Sequence, residues 1–301
     1  MKAPAFDYIK PRSLDQVFAL LAEYGDEARL LAGGQTLMAT LNMRLSEPAL
    51  VIDINGIDAL RGISLDPGTG MLRIGALVTH SEIEASALVA RHAPLLSMAV
   101  PHIAHRAIRN LGTWGGSLAY ADPAAEWPAC VLALDAVIVA RSSTGERRIA
   151  AADFFLDLYT TALQDGEIIV ACEVPASTDQ HCYAFDELAR RHGDYAIVGM
   201  ALVARLEQGR LQASRIALLG IGTTPLRARR TEALLDGRLP DDALLQEAAA
   251  ALAEELTGTH APLADLTNSA ATKRHLACVL LRRGLAALAP PTPPTSPAIG
   301  T

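Results

Sequence analysis

The sequence predicts an α+β protein built from more than one compact unit. Its 301 residues exceed the roughly 100–200 residues of a usual domain. The start of the chain alternates helical and strand patterns, whereas the last third places three strand patterns before three helical ones. That second order is typical of an antiparallel sheet with helices on one face. We expect domains at 1–56, 57–176 and 177–288, and a disordered proline-rich tail at 289–301.

The first unit is predicted to be a small αβαβ arrangement. Ser13 can cap a helix with apolar residues at helical spacing, Gln16 completes a capping box, and Gly25 ends the helix. The next elements are a strand in ARLLAGG, a short helix through 37–43 and a strand in ALVIDI.

The second unit opens on a predicted hairpin. Two apolar strand patterns surround the turn DPGTG, a composition typical of hairpins. Helices are expected from Ser81 and from Pro94 to about Ile108. A glycine-rich stretch with only a weak period then covers 108–129. Further strands are expected in DAVIVARSSTGERRI, around a glycine turn, and in GEIIVACEV.

The third unit follows a linker from Pro175 to Gln180. Its strand patterns lie in CYAFDELA, YAIVGMALVARLE and RLQASRIALLGI. Its helical patterns lie at about 226–235, 241–256 and 269–288. Short turns join the strands, so we expect an antiparallel sheet.

Charge and composition argue against several partners. A net charge of −7 and a pI near 5.6 give no basic face for nucleic acid or an anionic membrane. The chain has neither an apolar run of about 18 residues nor the apolar segment of a signal peptide. Its four cysteines fit no zinc or C-x-x-C spacing, which indicates free thiols. We expect a soluble cytoplasmic protein without nucleic acid or membrane insertion.

The sequence shows no convincing metal site or catalytic set. His102 and His105 have the spacing H-x-x-H and can share a helix face, but no cysteine or carboxylate lies at ligand spacing. The sequence contains no G-x-S-x-G motif, so it gives no support for a hydrolase. A P-loop is absent, and GIGTTP at 220–225 lacks the third glycine and the helix of a dinucleotide fingerprint. We predict neither a catalytic residue nor a metal ligand on this chain.

Two glycine-rich loops are the strongest candidates for a binding site. AGGQT at 32–36 follows a strand, and TWGGS at 113–117 lies in another unit. Each joins a Gly-Gly pair to a small polar residue, and backbone N–H groups of such loops bind anionic oxygens. Two loops that face each other can hold a diphosphate from both sides. The alternative is two unrelated turns.

Four stretches together resemble the FAD-binding medium subunit of the xanthine dehydrogenase and carbon monoxide dehydrogenase family of molybdenum hydroxylases. They are AGGQTL at 32–37, IRNLGTWGGSLAYADPAAEWPA at 108–129, YTTALQDGEII at 159–169 and ARRHGDYA at 189–196. The resemblance covers about residues 3–288. It implies a fold of the vanillyl-alcohol-oxidase (PCMH) type, in which two N-terminal α+β subdomains bind FAD and a C-terminal α+β domain covers the flavin.

The resemblance also assigns individual residues to the cofactor. The diphosphate would lie between the two loops, which contain Ala32, Gly33, Gly34, Gln35, Thr36, Thr113, Trp114, Gly115, Gly116 and Ser117. The ribityl chain and the ring would contact Ile103, Asp122, Glu126 and Leu163. Tyr195 would cover the isoalloxazine; the alternative is a tyrosine packed in the C-terminal sheet.

Two positions depart from the family pattern. Glu126 stands where many relatives have aspartate. The segment 186–189 reads DELA where relatives often place a lysine near the flavin. Arg190 or Arg191 is then the expected cation that stabilises negative charge on the reduced ring.

The resemblance implies an oxidoreductase subunit that transfers electrons. A large subunit with molybdopterin would hydroxylate the substrate, a small subunit with two [2Fe-2S] clusters would relay electrons, and FAD on this chain would pass them to an external acceptor, within a dimer of heterotrimers. Four cysteines cannot ligate two such clusters, which need about eight. The alternatives are a stand-alone PCMH-type flavin oxidase of a small alcohol or amine, and a binding or scaffold protein with a degenerate clamp.

Overall fold

A parallel three-stranded sheet opens the chain in the computed structural model, which describes residues 2–288. Its elements in chain order are β1 (Asp7–Ile9), α1 (Leu14–Tyr24), β2 (Ala28–Leu31), α2 (Leu37–Asn42) and β3 (Leu50–Asp53). β3 lies between the other two strands and is parallel to both. The predicted α1, β2, α2 and β3 are confirmed. The sequence does not predict β1, because its three exposed side chains show no alternation.

The start of α1 differs from the prediction in one detail. Ser13 accepts a hydrogen bond from the N–H of Gln16 at 3.3 Å, as an N-cap does. The Gln16 side chain accepts from the N–H of Arg12 at 2.8 Å rather than from that of Ser13. Only half of the predicted capping box therefore forms. α1 ends before Gly25, as predicted.

An antiparallel five-stranded sheet follows, with helices between its strands. The elements are β4 (Ile63–Asp66), β5 (Met71–Gly75), α3 (His80–Ala85), α4 (Ala87–His92), α5 (Pro94–Ala99), α6 (Arg106–Arg109), α7 (Trp114–Tyr120), α8 (Glu126–Ala133), β6 (Val137–Ser142), β7 (Gly145–Ala150), β8 (Phe155–Asp157), β9 (Thr160–Thr161) and β10 (Ile168–Pro175). The strand order is β4-β5-β10-β6-β7, and β8 pairs with β9 separately. The predicted hairpins β4-β5 and β6-β7 and the strand β10 are confirmed.

The helical region before the second glycine loop is broken, contrary to the single helix predicted there. α5 ends at Ala99, and a 3₁₀ turn follows, since Pro101 has no N–H to continue the helical hydrogen bonds. Ala104 then has a φ of 44°, which redirects the chain. His102 and His105 therefore do not share a helix face.

The glycine-rich stretch contains two helices, α7 and α8, that the sequence pattern does not reveal. α7 includes two adjacent glycines, and glycine has a low helix propensity. All eight residues of α8 are buried, so no polar face gives this helix a visible period.

The third unit has the predicted order of strands before helices. Its elements are β11 (His181–Leu188), β12 (Val198–Glu207), β13 (Arg210–Leu219), a short β14 (Leu226–Arg227), α9 (Arg229–Leu235), α10 (Asp242–Glu255) and α11 (Ala270–Leu288). The four strands form an antiparallel sheet in chain order. The predicted α+β class is confirmed, and the predicted tail at 289–301 lies outside the described residues.

Both faces of the third sheet are covered. Met200 and Leu202 of β12 belong to an apolar cluster with α10 and α11. Ala201 and Val203, on the other face, join the cluster that contains Trp127 of α8. The sheet therefore lies between its own helices and those of the second unit. Within residues 2–288, none of the helices combines the length and apolarity that a bilayer crossing requires.

Candidate functional site

The two glycine loops lie against each other. The first, 32–36, follows the carboxyl end of β2, and the second, 113–117, starts α7. A Cβ atom on Gly33 would lie 2.8 Å from the Cα of Gly112 and closer still to the carbonyl oxygen of Leu111. Glycine is therefore required at this crossing, because a side chain would collide with backbone.

The first loop presents a row of free backbone donors. The N–H groups of Gly33, Gly34, Gln35 and Thr36 donate to no acceptor within residues 2–288. Gly34 has a φ of 69°, and a left-handed residue in such a turn is typical of backbone concavities that bind anions. This loop therefore has four backbone N–H donors available to a phosphate group.

Polar residues of the first sheet fix the position of this loop. The side-chain amide of Asn55 donates to the carbonyl oxygen of Ala32 at 2.7 Å and to the carboxylate of Asp53 at 2.8 Å. Asp53 also accepts a hydrogen bond from the Tyr8 hydroxyl and pairs with Lys10 at 3.4 Å. Residues on or beside β1, β2 and β3 thus meet at the base of the loop.

The second loop offers fewer donors than the sequence suggests. The N–H groups of Trp114 and Gly115 both donate, at 2.8 Å, to carbonyl oxygens of the chain that follows β5. The N–H of Gly116 is bound by the Thr113 hydroxyl at 3.2 Å, which caps α7. The side-chain donors of this loop are the hydroxyls of the buried Thr113 and the half-buried Ser117, each of which has one O–H to donate.

A cleft of about 730 Å³ opens beside the first loop. Met38 and Leu77 contribute apolar walls, whereas Asn42 and Arg61 contribute polar ones. Ligand pockets for drug-sized molecules occupy about 300–1,000 Å³ and combine mainly apolar walls with a few polar groups. The cleft can therefore hold the nucleotide part of a dinucleotide cofactor whose phosphates reach the first loop.

A polar turn after α7 ties the second unit to the third. The carboxylate of Asp122 accepts a hydrogen bond from the N–H of Ala124 at 2.9 Å. The next carbonyl oxygen, of Pro123, accepts one from the N–H of Gly220 at 2.8 Å. Burial raises the pKa of Asp122. A residue of the third unit thus fixes the turn that carries this carboxylate.

The charge of Asp122 acts on three tyrosines, Tyr120, Tyr159 and Tyr195. The rings of Tyr120 and Tyr159 lie 4.9 Å apart. Partial burial, followed by the charge of Asp122, raises the pKa of all three tyrosines, including Tyr195. Tyr195 is 71% exposed and precedes β12, so the alternative of a tyrosine packed in the sheet is wrong. The sequence does not single out Tyr120 and Tyr159, although both lie in the stretches that carry the resemblance.

The segment that carries Tyr195 rests on the turn after α5. Gly193 has a φ of 83°, and a Cβ there would lie 2.7 Å from the carbonyl oxygen of Ala104. Ile103, which precedes Ala104, is buried, and Leu163 is half-buried. Both pack in the apolar cluster of the second unit. The structure thus places these two predicted ring contacts mainly in the core.

Buried acids lie between α8 and the third sheet. Glu126 starts α8, and burial, aided by the charge of Glu187, raises its pKa to about 8. Glu187 is on β11, and its Oε1 lies 3.6 Å from Nδ1 of His102. The only sequence signal for Glu187 is the departure from the family pattern at 186–189.

Arg190 and Arg191, the cations expected from the sequence, form no ion pair within residues 2–288 that holds either side chain near these acids. Both side chains are exposed and form no ion pair with any described residue. His102 is the basic group that the structure places against the buried Glu187.

Comparisons with known proteins agree with this architecture. A family described as "FAD binding domain in molybdopterin dehydrogenase" matches residues 4–177, and one described as "CO dehydrogenase flavoprotein C-terminal domain" matches 183–288. The carbon monoxide dehydrogenase medium chain of Hydrogenophaga pseudoflava is 35% identical over 95% of this chain and 97% of its own. The 6-hydroxypseudooxynicotine dehydrogenase complex subunit alpha of Paenarthrobacter nicotinovorans is 44% identical over 78% and 79%.

Solved structures give the same result. Carbon monoxide dehydrogenase from Hydrogenophaga pseudoflava superposes with a TM-score of 0.91 at 35% identity, over 96% of this chain and 100% of that one. Quinoline 2-oxidoreductase from Pseudomonas putida 86 superposes with a TM-score of 0.89 at 38% identity, over 96% and 98%.

The fold and the crossed loops define a flavin-binding oxidoreductase component with a PCMH-type FAD domain and a C-terminal domain. The chain belongs to the FAD-binding medium subunits of the molybdenum hydroxylases, the family of xanthine dehydrogenase and carbon monoxide dehydrogenase. Relatives that match it are named as subunits of multi-subunit dehydrogenases. The predicted family, fold, FAD cofactor and oxidoreductase class are confirmed.

Proposed function

We propose that this chain accepts electrons from the [2Fe-2S] clusters of a small subunit and passes them through FAD to an external acceptor. The substrate would be hydroxylated on a large subunit that carries molybdopterin, and the complex would be a dimer of heterotrimers. A cytoplasmic location is proposed with it, which the four free cysteines support. The observation that carries the proposal is the row of free N–H groups at 33–36, beside a cleft of about 730 Å³.

The residues of the site fit FAD in a specific way. The free N–H groups of Gly33, Gly34, Gln35 and Thr36 would bind the diphosphate, and the hydroxyls of Thr113 and Ser117 would approach it from α7. Arg61, on the rim of the cleft, adds positive charge beside these donors.

The ring would lie at the polar turn between the second and third units. The charge of Asp122, in the second unit, acts on Tyr195, in the third, which suits a ring held between the two units. The exposed Tyr195 would cover one face of the ring and exclude water from it. When bound, FAD exchanges electrons singly or in pairs, and so joins one-electron clusters to two-electron acceptors.

A stand-alone flavin oxidase is the alternative function. It is not favoured, because the relatives that cover most of the chain are named as medium chains or subunits of larger dehydrogenases. An oxidase would also need its own substrate base beside the ring, and the buried acids at Glu126 and Glu187 are withdrawn from solvent.

Purification of the tagged full chain from its native host tests the proposal. We expect two further polypeptides, molybdenum, iron and FAD to co-purify. Addition of the substrate of the complex should reduce the flavin without added dithionite. A chain that purifies alone with FAD and oxidises a small alcohol or amine with oxygen would establish the oxidase instead.

A further inference from the structure

Gly220, the first residue of the motif GIGTTP, lies where three segments of backbone cross. It follows β13 and has a φ of 78°, a left-handed value. A Cβ atom there would lie 2.6 Å from the carbonyl oxygen of Ile197 and 3.2 Å from that of Ala196. Its N–H donates to the carbonyl oxygen of Pro123 at 2.8 Å. Glycine is therefore required at this position for its conformation and for its close contacts.

The segments that cross at Gly220 carry the residues proposed to hold the flavin ring. The two residues that contact it directly follow Tyr195 in the chain. The residue whose carbonyl oxygen accepts its N–H directly follows Asp122. Gly220 thus joins the end of the Tyr195 loop to the turn that carries Asp122.

The Tyr195 loop, residues 189–197 between β11 and β12, depends on close packing for its position. Within residues 2–288, no hydrogen bond joins this loop to the second unit. One side of the loop packs through Gly193 against Ala104, and the other side packs against Gly220. The exposed ring of Tyr195 lies between these two contacts in the chain. A shift of Gly220 would therefore move this ring.

The ammonium group of Lys273 holds the carbonyl side of Gly220. Its Nζ donates to the carbonyl oxygen of Gly220 at 2.9 Å and pairs with Oδ2 of Asp265 at 3.0 Å. Lys273 lies in the first turn of α11, and its side chain is only 9% exposed. A charged donor forms a stronger hydrogen bond than a neutral one, so this contact fixes the orientation of the Gly220 carbonyl.

Asp265 gives the ammonium group a fixed partner. Its Oδ1 accepts hydrogen bonds from the N–H groups of Thr267 and Asn268, both at 2.8 Å, in the turn before α11. Its Oδ2 remains available for Lys273. A lysine suits this position because its compact ammonium group has three donors and can bind the carboxylate and the carbonyl oxygen together.

We propose that Lys273 is a positioning residue for the cover of the flavin ring. It holds Gly220, and through Gly220 it fixes the Tyr195 loop against the turn of Asp122. The proposal rests on the proposed function of Tyr195 at the ring, and Lys273 acts without touching the ring itself. Loss of the ammonium group would release the Gly220 carbonyl, loosen the loop and uncover the ring.

Hydrogen exchange in the full chain after removal of FAD tests the positioning step. Lys273→Met keeps an unbranched apolar side chain but removes the ammonium group. The backbone amides of Gly220 and Ile197 should exchange roughly tenfold faster than in wild type. Arg283→Met is the matched control, because it removes an exposed cation from the same helix, and it should leave both rates unchanged. Wild-type exchange in Lys273→Met would overturn the proposal.

Stopped-flow reoxidation of the FAD-loaded chain tests the effect on the ring. Lys273→Met should speed oxidation of the reduced flavin by oxygen, as Tyr195→Ala does, and Arg283→Met should not. The double variant with Tyr195→Ala should react no faster than Tyr195→Ala alone, because both changes act through one side chain. An additive effect in the double variant, or a wild-type rate in Lys273→Met, would overturn the proposal.

Gly220→Ala gives a second way to disturb the same contact if Lys273→Met does not fold. Its methyl group would collide with the carbonyl oxygen of Ile197, so exchange at Ile197 and flavin reoxidation should both become faster. Wild-type behaviour of Gly220→Ala in both measurements would overturn the proposal. An unchanged reoxidation rate in Tyr195→Ala would instead overturn the proposed ring contact, and hydrogen exchange would then decide whether Lys273 positions the loop.

Discussion

Gly33 and Gly34 are neighbours, but the structure requires glycine at each for a different reason. At Gly33, a Cβ would collide with the backbone of Leu111 and Gly112, just before the second loop, so glycine permits the two segments to cross. Gly34 has a φ of 69°, which suits the turn that exposes the four N–H groups. The first glycine is needed for packing and the second for the shape of the donor row.

Gly34→Val should therefore lower FAD retention strongly in a chain that remains folded. A β-branched residue in the left-handed region is strained by about 1–3 kcal/mol, and relief of that strain would turn the donors away, so FAD affinity should fall roughly tenfold or more. Equilibrium dialysis and the ratio of flavin to protein measure this. Gly70→Val is the control, because Gly70 has a φ of 66° and no neighbouring atoms within 4 Å. Equal FAD content in Gly34→Val and wild type would exclude the donor row as the diphosphate site.

Tyr195→Ala should speed oxidation of the reduced flavin by oxygen. The exposed ring at this position would stack on the isoalloxazine, a contact of about 0.5–1.5 kcal/mol beyond the area it buries, so FAD binding should weaken a few-fold. Hydroxylation by the partner subunit should persist with an artificial acceptor that takes electrons before the flavin. Stopped-flow reoxidation is the measurement, with Leu266→Ala as an exposed control. An unchanged rate and flavin spectrum would mean that Tyr195 does not touch the cofactor.

At the scale of elements, α3 and α8 support the start of the second glycine loop through His80 and Trp127. His80 starts α3, and its backbone N–H donates to the carbonyl oxygen of Gly112 at 3.0 Å. Its Nδ1 accepts a hydrogen bond from the indole of Trp127 on α8 at 3.0 Å. Burial, followed by the charge of Arg109, lowers the pKa of His80 to about 4. A neutral imidazole thus joins two helices behind the loop.

Protonation of His80 should destabilise the fold in mild acid. Its folded-state pKa of about 4 lies below its ordinary 6.5, so the unfolded chain binds the proton first. The stabilisation is complete above pH 6.5 and is lost as the pH falls towards 4, by an amount on the order of 3 kcal/mol. Urea unfolding across this range should show a shallower acid loss in His80→Asn than in wild type. The exposed His260→Asn is the control, and parallel curves for wild type and His80→Asn would contradict the assignment.

The elements that sequence reasoning finds are those whose pattern is local. α1 has a cap, an apolar stripe and a terminal glycine, and the strands of the third unit are long apolar runs. α8 is missed because it is buried all round, and its burial depends on β12 and β13, which come much later in the chain. A helix between two layers has no solvent face, so its sequence carries no amphipathic period.

At the scale of the whole molecule, the proposed FAD site draws on all three units. The donor row comes from the first sheet, the hydroxyls of Thr113 and Ser117 from the second unit, and Tyr195 from the third. The predicted boundaries after residues 56 and 176 stay a prediction, and we propose them because the three sheets lie on successive stretches of chain. FAD would thus be held by contacts from several segments.

FAD should accordingly be bound without a covalent bond. Neither glycine loop contains a histidine or cysteine, Cys130 and Cys172 are buried, and His80 is committed to Trp127. Precipitation of the holoprotein with trichloroacetic acid should leave a colourless pellet and release all the flavin to the supernatant. Yellow colour retained in washed, denatured pellets would contradict this prediction and indicate a covalent bond to the flavin.

The α+β class, most strands and helices, the two glycine loops and, through the motifs, the family can be predicted from the amino-acid sequence alone. These features depend on residues that are near one another in the chain. The folded arrangement determines which backbone donors are used: the N–H groups of Trp114 and Gly115 bind carbonyl oxygens inside the protein, whereas those of Gly33 to Thr36 bind no acceptor within residues 2–288. It also buries the side chains of Glu126 and Glu187, and leaves Oε2 of Glu187 without a hydrogen-bond partner within residues 2–288. Hydrogen-bond partners and desolvation come from segments far apart in the chain, so no local pattern can specify them.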